Sequence, residues 1–256
     1  YVDDMLVKSD GDADHVADLQ ETFDALRRYR MMLNPTKCTF DVATGKFLGF
    51  VVTQRGIEAN PEKIRAILSM RHPASKKEVQ CLAGRVAALS RFISKSAERC
   101  LPFFKTLRKM HGFEWTEDCR QAFEDLKSYL ASPPLLSKPK VGEELYLYLA
   151  VSPEAVSSVL VRADEKGAQG PIYYTSRVLH DVETRYSKSE KTIFVLIFSA
   201  QRLRPYFQAY SIVILTDQPL KVILHQPNTS GRMAKWVVKL NKFDISYRPR
   251  SSMKVQ

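Results

Sequence analysis

The stretch Leu145-Tyr146-Leu147-Tyr148-Leu149-Ala150-Val151 decides the fold of the second half of the chain. Its aliphatic and aromatic residues favour a strand, and Ala155 to Val161 repeats this character after a short turn. Ile172-Tyr173-Tyr174 predicts a third strand. This half of the chain is therefore expected to begin with three consecutive strands.

A helix is predicted to follow from Ser189, because apolar residues recur every three or four positions until Pro205 ends the pattern. These positions are Ile193, Leu196, Ile197, Ala200 and Leu203. The rest of the pattern predicts a strand at 211–216, helices at 219–224 and 233–240, and a strand at 243–247. Together these elements predict an α/β domain.

The chain opens with Tyr1-Val2-Asp3-Asp4, in which two adjacent carboxylates follow two strand-forming residues. The run Met5-Leu6-Val7 resumes a strand, so the segment predicts a hairpin with its acids at the tip. Clustered carboxylates suit hard divalent cations, and two-metal phosphoryl chemistry places two such ions roughly 4 Å apart. An Asp-Asp pair alone has a second explanation, since such pairs also cap turns.

A helix and a second hairpin are predicted to follow. Apolar residues at helical spacing predict a helix from Asp14 to Arg30, which Asn34-Pro35 ends. Lys37 to Phe40 is predicted to begin a strand, and Gly45 to Val52 to form another.

The next segment is predicted to be helical. Asn60-Pro61 is a helix start, with Asn as the cap and Pro at the first position. Ser75 and Glu78 form a capping box for a helix whose apolar stripe continues to Ile93. Another helix starts near Trp115 and stops at residues 132–134, before a linker.

Positive charge concentrates in this helical segment. Residues 60–110 contain twelve Lys and Arg against three Asp and Glu, and the whole chain has a net charge of +11. A helical hairpin with a solvated polar face explains the apolar stripe, but it explains the scarcity of acids less well. We therefore expect a surface that contacts phosphates. The candidate contact residues are Lys76, Lys77, Arg85 and Arg91.

The four cysteines lie far apart without a Cys-x-x-Cys pair, which is typical of reduced thiols in an intracellular protein. No apolar run approaches the roughly 18 residues of a membrane span, and we expect no signal peptide. We expect an intracellular location, in a cytoplasmic particle or the nucleus, and no membrane partner. Because the chain opens inside a motif without an initiator Met, we expect it to be a piece of a longer protein.

In this order the motifs resemble the pol polyprotein of gypsy-type LTR retrotransposons, and of a plant element in particular. The resemblance covers essentially the whole chain. Its anchors include Tyr1-Val2-Asp3-Asp4, Leu33-Asn34-Pro35-Thr36-Lys37-Cys38, Phe47-Leu48-Gly49-Phe50, Asn60-Pro61-Glu62-Lys63-Ile64, Thr216-Asp217-Gln218-Pro219-Leu220 and Gly231-Arg232-Met233-Ala234-Lys235-Trp236.

This resemblance implies an α+β fold, with a partial reverse-transcriptase palm and a helical thumb followed by an α/β RNase H-like domain. Residues 1–59 would be the C-terminal part of the palm with the primer grip, and residues 60–110 the thumb. Residues 111–140 would be a connecting helix and linker, and residues 141–256 an RNase H-like tether or connection.

The resemblance also assigns roles in polymerisation. Asp3 and Asp4 would bind the catalytic Mg²⁺ pair together with an Asp on an earlier palm strand, which lies before residue 1. Lys37 would neutralise charge or protonate the leaving group near the incoming nucleotide, although a surface salt bridge explains it equally. The segment Phe47-Leu48-Gly49-Phe50 would be the primer-grip hairpin, with an ordinary half-buried strand as the alternative.

The implied partners are an RNA/DNA primer–template, deoxynucleotides in the complete enzyme, and other domains of the polyprotein. The fingers and the remaining metal-binding Asp belong to segments before residue 1. We therefore expect this fragment alone not to polymerise.

The RNase H-like half departs from the family pattern at its carboxylates. Ala150 stands where the first Asp is expected, and Thr192 stands where the Glu is expected. Glu190 lies two residues earlier, roughly 200° around the helix, and would aim away from the site. Asp217 remains at a matching position, but it would serve equally well as a helix N-cap. We expect this domain to have lost the nuclease and to help hold the heteroduplex, with a second RNase H beyond Gln256 as an option that the resemblance offers.

Three hypotheses therefore stay open. The chain is a piece of a reverse transcriptase, a non-catalytic nucleic-acid-binding module, or the product of a decayed retroelement. The upstream reading frame distinguishes them, because an intact palm strand bearing Asp favours the first hypothesis and stop codons favour the third.

Overall fold

The computed structural model describes residues 5–9, 12–40, 42, 44–53, 55–108, 112–224 and 231–250. The chain divides into two compact units, Tyr1–Gln54 and Arg55–Gln256. In the described part of the chain, every helix is too short or too polar to cross a membrane.

The N-terminal unit contains one long helix and one hairpin. Helix α1 spans Asp12–Arg28, and a 3₁₀ turn at Pro35–Lys37 precedes strands β1 (Thr44–Phe47) and β2 (Phe50–Thr53). The helix confirms the helical spacing found in the sequence, and Arg27 and Arg28 lie in its last turn. Cations there interact favourably with the negative end of the helix dipole.

Two predicted strands of this unit are wrong. Met5–Ser9 has no regular secondary structure, because a strand needs a hydrogen-bonded neighbour and the described residues offer it none. Lys37–Phe40 is not a strand either, because the Asn34 side chain accepts a bond of 3.1 Å from the Thr36 amide and winds the chain into the 3₁₀ turn. This local capping bond competes successfully with extended structure.

The predicted strand at 45–52 is instead a hairpin. Strands β1 and β2 are antiparallel, with Phe47 opposite Phe50, and Leu48 and Gly49 form the turn between them. Both turn residues have positive φ, 48° at Leu48 and 76° at Gly49. Two positive φ values are characteristic of the tight turns that match the twist of a hairpin.

The second unit begins with helices. The short strand β3 (Ile57–Ala59) is followed by five helices and one 3₁₀ turn. These are α2 (Pro61–Leu68), α3 (Lys76–Leu89), the 3₁₀ turn Ser90–Phe92, α4 (Ser96–Arg99), α5 (Leu101–Arg108) and α6 (Glu117–Ala131).

Local caps explain where these helices begin. The Asn60 side chain accepts a bond of 2.9 Å from the Glu62 amide, and Pro61 occupies the first helical turn, as predicted. The Ser75 hydroxyl accepts from the Glu78 amide at 3.3 Å, which confirms the predicted cap. The Glu78 carboxylate reaches back one residue further than a capping box requires and accepts from the Ala74 amide at 2.6 Å.

The predicted helix through Ile93 ends early, at Leu89. The Ser90 hydroxyl donates to the Ala87 carbonyl at 2.8 Å, and the chain tightens into the 3₁₀ turn that follows. Phe92 and Ile93 are nevertheless completely buried. The apolar pattern therefore predicted which residues enter the core, but not the break in the helix.

The remainder of this unit is built on a five-stranded sheet with the predicted α/β order. Its strands are β4 (Leu145–Val151), β5 (Ala155–Ala163), β6 (Gln169–Val178), β7 (Ile212–Leu215) and β8 (Ile245–Arg248). Its helices are α7 (Asp181–Thr184), α8 (Lys188–Arg202), α9 (Arg204–Ala209), α10 (Leu220–Leu224) and α11 (Gly231–Leu240). The short helices α7 and α9 were not predicted.

The strand order across the sheet is β6-β5-β4-β7-β8. The first three strands are antiparallel neighbours, whereas β7 and β8 run parallel to β4 and to each other. Helix α8 packs against β4 and β5 and carries the core residues Ile193, Leu196 and Ile197. This arrangement confirms the mixed helix and sheet fold.

The predicted linker before Gly142 is firmly held. Leu136 is completely buried, and its backbone exchanges two hydrogen bonds with Ile57, of 2.9 and 3.0 Å. Ser137 donates from its amide to the Pro171 carbonyl at 2.6 Å. The segment therefore joins β3 to the sheet.

Gly56 is the residue that allows this close approach. Its φ is +152°, and a Cβ atom at this position would lie 2.1 Å from the Leu136 carbonyl oxygen. We predict that Gly56→Ala lowers the free energy of unfolding by more than about 2 kcal/mol, because both the φ and the contact are unfavourable for alanine. Chemical denaturation of the purified chain measures this change.

Gly84→Ala is the matched control. Gly84 lies within α3, and a Cβ atom there would meet nothing within 4 Å. Because alanine is the better helix former, this change should stabilise the chain by roughly 0.5–1 kcal/mol. Equal effects of the two substitutions would contradict the close contact at Gly56.

Candidate nucleic-acid interface and remnant metal site

The hairpin turn at Leu48 and Gly49 is the first candidate site. The Leu48 side chain is 63% exposed, although it is large and apolar. Its positive φ is costly for a residue that is not glycine, and such strain is concentrated at functional positions. The turn thus presents an apolar side chain to solvent beside a glycine with positive φ.

The predicted polymerase carboxylates, Asp3 and Asp4, lie outside the described residues. Lys37 is exposed at the end of the 3₁₀ turn, where its amide donates to the Asn34 carbonyl at 3.0 Å.

The four predicted phosphate-binding residues of the helical segment have different surroundings. Lys77 is exposed in the first turn of α3, and Lys76 beside it is half-buried. The Arg85 guanidinium donates to the Ala66 carbonyl at 2.5 Å, in the last turn of α2. It therefore satisfies one of the carbonyls that a helix end leaves without a helical partner.

Arg91 is occupied within the second unit. Its guanidinium carbon lies 4.7 Å from the centre of the Tyr173 ring, and Nη2 donates to the Tyr206 hydroxyl at 3.5 Å. Arg91 thus connects the 3₁₀ turn after α3 to β6 and α9. The partners of Arg85 and Arg91 are distant in sequence, so charge counting alone could not identify them.

The positions of the expected RNase H carboxylates lie at one end of the sheet. Ala150 is near the end of β4, opposite Ser157 of β5. Thr192 is buried in the first turns of α8, where its hydroxyl donates to the Lys188 carbonyl at 2.8 Å. Asp217 is exposed directly after β7. Of the three positions where the family resemblance places carboxylates, Asp217 is the one that has a carboxylate.

Asp217 does not form the predicted helix cap. Helix α10 begins at Leu220, and the Thr216 hydroxyl, not Asp217, accepts the amide hydrogen of Gln218 at 3.1 Å. Across the described ranges, no cluster of three or more His, Cys, Asp or Glu residues could hold a metal ion.

Glu190 is held by the protein itself. Its carboxylate accepts the Ser187 amide hydrogen at 3.0 Å, and the Ser187 hydroxyl accepts from the Glu190 amide at 3.2 Å, which completes a capping box for α8. The same carboxylate pairs with Arg232 at 3.1 Å. The hydrogen bonds with the Ser187 backbone and side chain, and after them the Arg232 charge, hold the pKa of Glu190 below its ordinary value against the opposing effect of burial.

Two neighbours of Glu190 also form contacts that the sequence did not reveal. Ser189 donates to the Gln218 side chain at 2.9 Å, and the buried Lys191 donates to the Pro153 carbonyl at 3.0 Å. Sequence reasoning passed over Lys191 because lysine is normally solvated. One turn of α8 is therefore tied to the turn after β4, the end of β7 and α11.

Two segments of the chain are similar to known protein families. A family described as "RNase H-like domain found in reverse transcriptase" matches residues 115–214, and "Reverse transcriptase (RNA-dependent DNA polymerase)" matches residues 1–52. The Tf2-3 and Tf2-4 transposon polyproteins of Schizosaccharomyces pombe are each 28% identical over 98% of this chain. The chain corresponds to the reverse transcriptase and RNase H-like part of an LTR retrotransposon polyprotein.

This polyprotein segment spans 19% of the length of those relatives. Its fold is similar to a foamy viral protease–reverse transcriptase in complex with double-stranded DNA, with a TM-score of 0.77, 20% identity, and coverage of 97% of this chain and 45% of that one. A second foamy viral protease–reverse transcriptase, in complex with an RNA/DNA hybrid, gives a TM-score of 0.77 at 20% identity. The match covers 96% of this chain and 34% of the foamy viral chain.

The state of Glu190 predicts a pH dependence. Because the folded protein holds the pKa of Glu190 below 4.5, the unfolded chain binds the proton more readily, and ionised Glu190 stabilises the fold above this pH. That stabilisation should be lost as the pH falls from about 5 through the folded pKa. We predict that Glu190→Gln is less stable than the parent at pH 7, and that the difference shrinks at low pH.

Denaturant unfolding of both proteins at a series of pH values measures this difference. Glu165→Gln is the control, because its carboxylate is 95% exposed beside Lys140 and should show little difference at any pH. A Glu190→Gln deficit that is constant from neutral to acid pH would contradict the assigned ion pair and cap.

Proposed function

We propose that this segment is the C-terminal part of a gypsy-type RNA-directed DNA polymerase from a plant element. Residues 1–59 would complete the palm with the primer grip, residues 60–110 the thumb, and residues 111–140 a connection to the RNase H-like tether at 141–256. The single observation that carries the proposal is the order of the two family matches, a reverse transcriptase over residues 1–52 and an RNase H-like domain over residues 115–214.

Asp3 and Asp4 would bind Mg²⁺ in the complete enzyme, because paired carboxylates provide the hard oxygen ligands that this ion prefers. The ion would supply activation of the primer hydroxyl and charge stabilisation at the leaving pyrophosphate. Lys37 would lie beside the nucleotide phosphates. Since the site needs a further Asp from another palm strand, we propose that this segment alone does not polymerise.

The hairpin at residues 47–50 supports the assignment of a primer grip. Its rigid two-residue turn exposes Leu48, and Gly49 permits backbone approach to a primer strand. The thumb would contact phosphates through Lys76 and Lys77. Lys77 is exposed in the first turn of α3, where a cation opposes the helix dipole, so an external anion would explain its position better than stability does.

The RNase H-like site does not fit a metal pair. Two divalent ions need several carboxylates, whereas Ala150 and Thr192 provide none and Glu190 is committed to Ser187 and Arg232. No step of hydrolysis is therefore assigned to this domain. Its proposed role is to hold the heteroduplex while another active centre acts.

The loss of nuclease activity is tested directly. We predict that the purified segment leaves the RNA strand of an RNA/DNA hybrid intact in Mg²⁺ or Mn²⁺, as judged by denaturing gels. Asp217→Asn is the control, because a contaminating nuclease would cleave equally in both preparations. Cleavage by the parent that disappears in Asp217→Asn would overturn the assignment of a tether.

Binding is tested with the thumb lysines. We predict that Lys76→Gln with Lys77→Gln lowers the slope of log affinity against log salt by roughly 1.8 for a duplex, since each lost phosphate contact removes about 0.9. Fluorescence anisotropy with a labelled primer–template measures the slope.

Arg120→Gln with Lys127→Gln on α6 is the matched control, because it removes the same charge from another helix of the unit. Equal losses in the two double variants would show a general effect of net charge. A parent segment that does not bind duplex at all would refute the proposed function.

A second candidate function is a non-catalytic nucleic-acid-binding module. The incomplete metal set of the RNase H-like half favours it, and the upstream reading frame decides between the two. An upstream palm strand with an Asp would support the polymerase.

A further inference from the structure

Helix α11 has two chemically distinct faces. Met233, Trp236 and Leu240 are buried, whereas Arg232, Lys235 and Lys239 are exposed. The helix contains no acid, and Lys242 lies two residues beyond its end. The exposed charges of α11 are therefore all basic, with Ala234 and Val238 exposed between them.

This charge pattern differs from that of α6. Helix α6 also has an exposed polar face, but there acids and bases alternate, and Arg120 pairs with Glu117 at 3.0 Å. On α11, by contrast, Lys235 and Lys239 lie four residues apart, where like charges repel and destabilise a helix. The described residues provide neither lysine with an ion pair that would offset this repulsion.

The basic face is also rigidly held. Arg232 pairs with Glu190 at 3.1 Å and stacks 4.3 Å from the centre of the Tyr186 ring, while Trp236 packs against Tyr186 and Phe194. These contacts fix α11 on α8. The lysine stems therefore project from a fixed base, which lowers the entropy cost of binding.

We propose that α11 is a second phosphate-contacting surface, on which Lys235, Lys239 and Lys242 bind the backbone of a nucleic-acid duplex. The proposal rests on the proposed function and extends it, because it gives the nuclease-deficient domain its own binding surface. Lys235 and Lys239 are roughly 6 Å apart along the helix axis, a spacing at which they can contact neighbouring phosphates.

The same helix is poorly suited to a membrane surface. An amphipathic helix binds lipid by inserting its apolar face, but Met233, Trp236 and Leu240 of α11 are already buried in the protein core. Contacts that use charge without base recognition match a tether that must accept any sequence.

The test uses a double variant that carries both Lys235→Gln and Lys239→Gln. Its binding to a labelled RNA/DNA hybrid is compared with that of the parent segment. Measured by anisotropy over a range of salt concentrations, the slope of log affinity against log salt should fall by roughly 1.8, with about tenfold weaker binding at low salt. The matched control is Lys127→Gln with Lys166→Gln, which removes the same charge from α6 and from the turn between β5 and β6. Circular dichroism establishes that both double variants are folded.

The outcomes separate this inference from the proposed function. If the parent binds the hybrid and the α11 variant has an unchanged slope, the α11 surface is refuted while the thumb can still account for binding. If the α11 variant and its control lose equal affinity, only net charge matters and the inference is also refuted. If the parent does not bind, the proposed function fails first. Loss of binding to an acidic protein, with hybrid binding intact, would assign the surface to a protein partner instead.

Discussion

The sheet of the second unit must be covered on both faces, and the rest of the structure depends on how this is achieved. Helix α8 covers one face of β4 and β5, and the segment after α3 covers the other face of β5 and β6. In the second layer, the Ala97 amide donates to the Ser176 hydroxyl at 3.0 Å. Ser157 and Val161 of β5 are buried as well. Because strand side chains alternate between faces, neither covering layer can substitute for the other.

This packing makes the helical segment and the sheet one body. Arg91 joins them through Tyr173 and Tyr206, and the Tyr129 hydroxyl donates to the Phe92 carbonyl at 2.9 Å. The bridge between Ile57 and Leu136 adds a further connection, because it joins the residues before α2 to the segment that follows α6. A helical surface that contacts a duplex would therefore be held in fixed register with the sheet. A tether needs this property, since it can then position a heteroduplex without performing chemistry on it.

What the sequence could predict follows from the range of each interaction. Asn60 and Ser75 cap their helices through bonds to amides two or three residues away, so the sequence alone identifies them. The contacts of Arg91 with Tyr173 and Tyr206 were not predicted, because these partners lie far along the chain. The hairpin at Leu48 and Gly49 lies between these cases. Its glycine was evident, but the positive φ of Leu48 requires the pairing of Phe47 with Phe50.

The end of the sheet where the family resemblance places carboxylates is stabilised in this chain without a cluster of acids. Carboxylates gathered at one end of a sheet repel one another unless an ion neutralises them, so a domain that loses the ion is stabilised by losing the acids as well. In this chain Ala150 and Thr192 are neutral, and the neighbouring Glu190 is neutralised by Arg232. Lys191 and Ser189 tie the adjacent turns together with hydrogen bonds of 3.0 and 2.9 Å. Side-chain contacts thus hold these elements in register without a metal ion. Under our proposal, the basic residues of α11 provide the binding surface of this domain.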